Sequence, residues 1–353
     1  VIKRNLNKFV GIVIAIFVLI HTVSGQPISP FNKLTFKDSV GKYSFIVSGH
    51  FHGASTNLST YPAATLQANI DTLNSLHPLF LMSLGDVFLD VNDLYIEHYQ
   101  KSLFDKLNMP LYNAVGNHDL ANDNMYEKVF GKSYFSFQNA TELYIVLNTE
   151  INDGSIKDDQ LVFFNETLKN TKEIKNIFIF SHRAVWAENN ERYGKLFNGN
   201  TRTMIGNNNF EDKVLPLLLV QSQEKKNIFW ISGSMGGGPA SFFYDKDPKT
   251  NIVFMQTAIR DQERDAALLV DVNNGVVSFA GISFTGQKLD DIKNYDINYW
   301  LGTKPIDTKF NFRLLPYLIK KVVLHSYFWM GFFSSLFLLF IFRISYRKWK
   351  RKK

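Results

Sequence analysis

Four short blocks hold the side chains able to do chemistry. Gly116–Asn117–His118–Asp119 sets an amide, an imidazole and a carboxylate in consecutive positions after an apolar run. His50 and His52 stand one residue apart in "FIVSGHFHGAS", and side chains at i and i+2 of an extended chain point the same way, so this pair can close on one ion. Asp86 in "LGD" and His182 in "IFIFSH" add a carboxylate and another imidazole. Nitrogen and oxygen donors of these types suit zinc, iron or manganese. Taken singly, each residue also reads as an ordinary turn or cap, and only the joint order points to a site. The chain has no cysteine, which excludes disulfides, thiolate nucleophiles and Cys-ligated zinc.

The blocks keep a rhythm. Apolar strands are expected at Tyr43 to Ser48, Leu79 to Leu84, Leu111 to Val115, Leu143 to Asn148, Ile177 to Ser181 and Ile228 to Ser232, most ending beside Gly, Ser or Asn. Between them lie helical patterns at Ala63 to Leu76, Asp93 to Leu107, Asp158 to Lys169 and Phe210 to Gln221. This alternation predicts an α/β fold, in which functional groups gather at the carboxyl ends of strands. After Ile228 the strands Asn251 to Ala258, Ala266 to Val272 and Val276 to Gly281 come one after another, which predicts a second, largely antiparallel sheet.

The ends of the chain have a different character. Net charge is +7, yet Lys3, Arg4 and Lys8 at one end and the cluster Arg343 to Lys353 at the other supply ten cations, leaving about −3 for the 353-residue chain's body. The alkaline balance is therefore terminal, and no nucleic-acid surface is expected on the body. Residues 1–25 have the grammar of a signal peptide or an N-terminal membrane anchor. Residues 322–342 are long and apolar enough to cross a bilayer, with a basic tail, 343–353, suited to the cytoplasmic side. Residues 26–289 are expected to form the extracytoplasmic domain, and 290–321 a juxtamembrane linker.

In order and spacing the blocks resemble the calcineurin-like metallophosphoesterase superfamily, over roughly Lys42 to Gly281. The resemblance implies two facing sheets flanked by helices, a four-layer αββα sandwich, here with a C-terminal transmembrane helix. It implies metal ligands at His52, Asp86 (bridging), Asn117 and His182, a general acid at His118, and Asp119 as that acid's orienting partner. Two departures stand out. His50 occupies the position of the family's first Asp, and Gly233–Ser234–Met235–Gly236 stands where the family has G-H-x-H. No histidine lies between His182 and His325, so no near neighbour replaces that pair. His50 with His52 and Asp86 would make one donor set; Asp86 with Asn117 and His182, backed by Ser234, the other. The resemblance implies one or two divalent ions (Mn, Zn or Fe) and a phosphate-ester substrate. Two functions are open: a membrane-anchored metal-dependent phosphoesterase, or an inactive fold serving as an extracytoplasmic binding module with a protein partner.

Overall fold

The computed structural model describes residues 27–57, 59–122, 125–151, 153–188, 190–194, 196, 208–235, 238–302, 315–324 and 326–351. The N-terminal segment 1–25 and most of an Asn-rich stretch of sequence, 198–210, lie outside them.

Two sheets face each other. The first, in spatial order β11-β10-β1-β2-β3, comprises Lys42–Ser48 (β1), Leu81–Ser83 (β2), Leu111–Asn113 (β3), Ala266–Asn273 (β10) and Val276–Ser283 (β11). The second runs β4-β5-β6-β7-β9-β8, from Phe135–Asn139 (β4), Glu142–Val146 (β5), Asn176–Ser181 (β6), Asn227–Ser232 (β7), Phe242–Lys246 (β8) and Val253–Thr257 (β9). The late strands do not build a sheet of their own. β10 extends the first sheet antiparallel to β1 and β11 pairs antiparallel with β10, while β9 joins the second parallel to β7 and β8 closes it antiparallel to β9. Strand pattern alone leaves this open, because an apolar strand does not state which neighbour it pairs with.

Period-two alternation sorts the core into layers. Phe178 and Phe180 of β6 point between the sheets with Phe45, Tyr144 and Phe229, whereas Ile177 and Ile179 face the helices beyond. Phe45 meets Phe178 and Tyr144 edge-on across the gap at 5.2 and 5.4 Å. Outside the first sheet lie Ala64–Gln67 (α1), Ile70–Ser75 (α2), Asp93–Ser102 (α3) and Met125–Phe130 (α4); outside the second lie Asp158–Lys169 (α5) and Leu215–Gln223 (α6). The result is the four-layer αββα sandwich. The expected helix at Ala63 to Leu76 is broken at Asn69, whose buried amide donates to the carbonyls of Thr65 and Phe284 and so competes with the helical bonds.

The packed body continues past Leu289. Ile292 and Tyr295 enter the core between the sheets, and Trp300 of the helix Ile297–Gly302 (α7) donates to Phe242 O, so the start of the expected linker is part of the domain. Ser326–Lys350 (α9), after the short helix Leu315–Val323 (α8), is the one helix among the described residues long and apolar enough to cross a membrane. Leu338, Leu339 and Phe340 are 62–64 % exposed, so nothing among the described residues buries its apolar surface.

Candidate metal centre

Strand ends from both sheets converge at one point. β1 leads into Gly49–His50, β2 into Leu84–Gly85–Asp86, β3 into Gly116–Asp119, β6 into His182 and β7 into Gly233. Their loops are zipped by backbone bonds: His50 N donates to Gly85 O at 3.0 Å, His52 N to Asp86 O at 3.3 Å, and Gly233 N to His182 O at 2.9 Å. Small residues permit this approach. A Cβ at Gly233 would overlap Leu84 O, and one at Gly85, whose φ is +89°, would overlap His182 Nδ1. His50 and Asp86 also take left-handed backbone, with φ of 57° and 56°, a conformation costly outside glycine and concentrated at functional sites.

Asp86 is the hub. Its Oδ2 lies 3.5 Å from His50 Nε2, 3.6 Å from His52 Nε2 and 3.5 Å from His182 Nε2, and all four side chains are buried. Burial alone would raise the Asp86 carboxyl, but the surrounding imidazoles of His182, His52 and His50 overturn it and hold the group well below the usual carboxylate range. Burial pushes the His50 imidazole well below its ordinary value, against the pull of Asp86.

The residues fit a divalent cation. Among the described residues, both ring nitrogens of His52 and Nε2 of His182 are buried without a hydrogen-bond partner, a costly arrangement unless something takes up the lone pair that each neutral ring carries. Donors around a tetrahedral ion at a bond length of about 2.0–2.1 Å sit about 3.3 Å apart, close to the separations around Asp86. The outer nitrogens of two rings are already committed: His182 Nδ1–H donates to Leu84 O at 2.8 Å and His118 Nδ1–H to Leu89 O at 2.9 Å. A carbonyl only accepts, so each ring turns an Nε2 lone pair inward, the support usual behind a metal-binding histidine.

The donors group differently from the sequence expectation. Two sets share Asp86: His50–Asp86–His182 and His52–Asp86–His118, with ligand atoms in each set within 4.8 Å of one another. Only in an extended chain would His50 and His52 face one ion together; the left-handed turn at His50 instead deals the two imidazoles to different sets. Asn117, expected as a ligand, is exposed, and its Oδ1 accepts from Arg183 Nη2 at 3.3 Å while Arg183 is itself clamped on Glu150. Ser234 and Met235 are buried, and the Met235 side chain joins the core between the second sheet and its helices.

Asp119 does not orient His118. It is wholly buried and spends its lone pairs on Asp86 N (2.9 Å), Gly116 N (3.0 Å), Phe88 N (3.1 Å) and Asn113 Nδ2 (3.0 Å), bracing the Asp86 loop against the Gly116 loop. Burial, and then the Asp86 charge, push its carboxyl up, while those donors oppose the rise. The orienting group is the Leu89 carbonyl, invisible in a sequence because every residue has one. Arg260, absent from the sequence expectation, reaches the centre: its Nη1 lies 3.4 Å from His50 Nδ1 and 3.3 Å from Met235 O. Its signal was its place, just past the strand that ends at Thr257, since the other donors also stand just past strand ends.

No family model and no curated protein sequence matches this chain. Among solved structures it is similar to GAP50, the anchor in the inner membrane complex of Plasmodium, at 10 % identity and TM-score 0.48, over 79 % of this chain and 94 % of that one. A dimetal phosphatase from Danio rerio is similar at 12 % identity and TM-score 0.44, over 69 % of this chain and 99 % of that one. A predicted phosphoesterase from Streptococcus pneumoniae is similar at 12 % identity and TM-score 0.32, over 70 % of this chain and 92 % of that one.

Proposed function

We propose that this chain, a degenerate metallophosphoesterase in fold, is a membrane-anchored, metal-dependent hydrolase of phosphate esters. The observation that carries the reading is the convergence of His50, His52 and His182 on Asp86 Oδ2 at 3.5–3.6 Å, with buried ring nitrogens of His52 and His182 lacking partners among the described residues. A divalent ion held there would supply Lewis-acid polarisation of a phosphoryl oxygen and activation of the attacking water.

The chain's own residues divide the remaining work. Asp86 is the shared carboxylate, and His52, His118 and His182 offer lone pairs whose direction is set from behind or left free by burial. His118 serves as a ligand here rather than as the general acid, because its Nδ1–H is taken by Leu89 O and the inward nitrogen presents a lone pair. Asp119 holds the two central loops in register without touching substrate. Helix α9 anchors the domain, and the basic residues at its end, Arg347, Lys348 and Lys350, favour the cytoplasmic face, which leaves the domain extracytoplasmic.

A second reading has its own support. The absence of both motif histidines, at Ser234 and Gly236, and the engagement of Asn117 by Arg183 remove three donors, as expected of a fold kept for binding a protein partner. Elemental analysis of the full-length protein in detergent, with hydrolysis of an aryl phosphate under added Mn²⁺ or Zn²⁺, separates the two. Hydrolysis and bound metal, both lost in Asp86→Asn, are expected. Metal-free protein without turnover would leave the binding module.

A further inference from the structure

We propose that Arg260 makes this a one-ion centre: it holds His50 in the tautomer that cannot ligate, and a single divalent ion lies on the His52 side of Asp86. The inference rests on the metal reading and deepens it.

A guanidinium has five N–H donors and no acceptor. Arg260 Nη1 lies 3.4 Å from His50 Nδ1, so Nδ1 accepts and the ring proton sits on Nε2, the nitrogen that faces Asp86 Oδ2 at 3.5 Å. His182 and His118 show the opposite arrangement, each with its outer nitrogen against a carbonyl and its inner one free to ligate. Contacts of the same kind that turn a lone pair inward on two rings turn a proton inward on His50.

Arg260 is not a loose side chain swinging past. Its backbone N–H is gripped by Asp265 Oδ1 at 2.9 Å, and Nη1 also donates to Met235 O at 3.3 Å. That carbonyl belongs to the stretch Gly233–Gly236, where the family's last two histidines are absent. With His50 withdrawn, the His182 side of Asp86 keeps two imidazole or carboxylate donors among the described residues, Asp86 and His182, too few by themselves for a stable site, and the Arg260 guanidinium stands 3.4 Å from His50 Nδ1. The other side keeps three: His52, Asp86 and His118. The positive charge that a second ion would bring to the centre is supplied by the protein.

The test is stoichiometric. Full-length protein in detergent, stripped with chelator and titrated with Zn²⁺ or Mn²⁺, should bind one ion per chain by calorimetry and elemental analysis. Arg260→Leu, which has no donor to offer His50, should bind two, the second at least tenfold more weakly. Selective ¹⁵N-histidine labelling, with His50→Gln to assign the signal, should show the wild-type His50 protonated at Nε2, and this readout decides the matter should Arg260→Leu fail to fold. Two ions in the wild type, one ion in a folded Arg260→Leu, or a proton on His50 Nδ1 would each overturn the inference while leaving the metal reading intact. No ion in either protein would remove the metal reading itself.

Discussion

Asp265 offers a sharp electrostatic prediction, because it is wholly buried and also holds the loop that carries Arg260. Its Oδ1 accepts from Arg260 N at 2.9 Å and its Oδ2 from the Thr65 hydroxyl at 2.7 Å. Burial, then the charge of Asp261, push its carboxyl from 3.8 up to about 6, against the opposing bonds from Arg260 N and Thr65. The folded chain therefore keeps this proton to higher pH than the unfolded chain does. Below about pH 4 both states are protonated and the group costs nothing. As pH rises through about 6 the folded carboxyl is forced to ionise in a buried place, and stability falls. A rise of that size corresponds to about 3 kcal/mol, with most of the loss between pH 4 and 6.

Asp265→Asn removes the ionisation while keeping the geometry usable. The new carbonyl accepts from Arg260 N, and the new amide donates to the Thr65 hydroxyl, which can turn its proton to Asp261 Oδ1, 3.3 Å away. Urea unfolding of full-length wild type and variant in detergent, from pH 4 to 7.5, isolates this group, because other titrations cancel in the difference. The difference should shift in the variant's favour by about 3 kcal/mol across the window. A constant offset at every pH would refute the claim that a buried charge is being forced at this position.

Other expectations concern the centre and its supports. Asp86→Asn should lower metal affinity at least a hundredfold by equilibrium dialysis, since it removes the carboxylate common to both donor sets. Gly85→Ala should destabilise the protein by about 2 kcal/mol or more in thermal unfolding, because its Cβ would run into His182 Nδ1 and its φ is +89°. Asp119→Asn should cost about 2–4 kcal/mol in urea unfolding of the metal-free protein, by pointing an amide at groups that only donate. An orienting role confined to His118 would leave stability unchanged.

Much of the fold was legible because its signals are local. Each parallel strand announces itself as an apolar run ending in glycine or a small polar residue, and "NIFIFS" at β6 even shows which residues face the neighbouring sheet. Two edge strands, β4 and β8, went unread, since "FSFQN" and "FFYDK" are short, mixed and tied to their neighbours by pairing alone. The donor residues His50, His52, Asp86, His118 and His182 were also legible, by type and by position after a strand.

The sequence by itself determined which histidines and which carboxylate arrive at the centre, because strand periodicity and glycine placement fix where each loop begins. Only the tertiary structure decided what those side chains do there. Whether an imidazole presents a lone pair or a proton depends on the group behind it, and those groups come from distant positions: Leu84 behind His182, Leu89 behind His118, Arg260 behind His50. Backbone carbonyls carry no residue signature, and a left-handed turn at one residue reassigns a histidine from one donor set to another. Ligation is a property of direction, and direction is set by contacts between segments far apart in the chain.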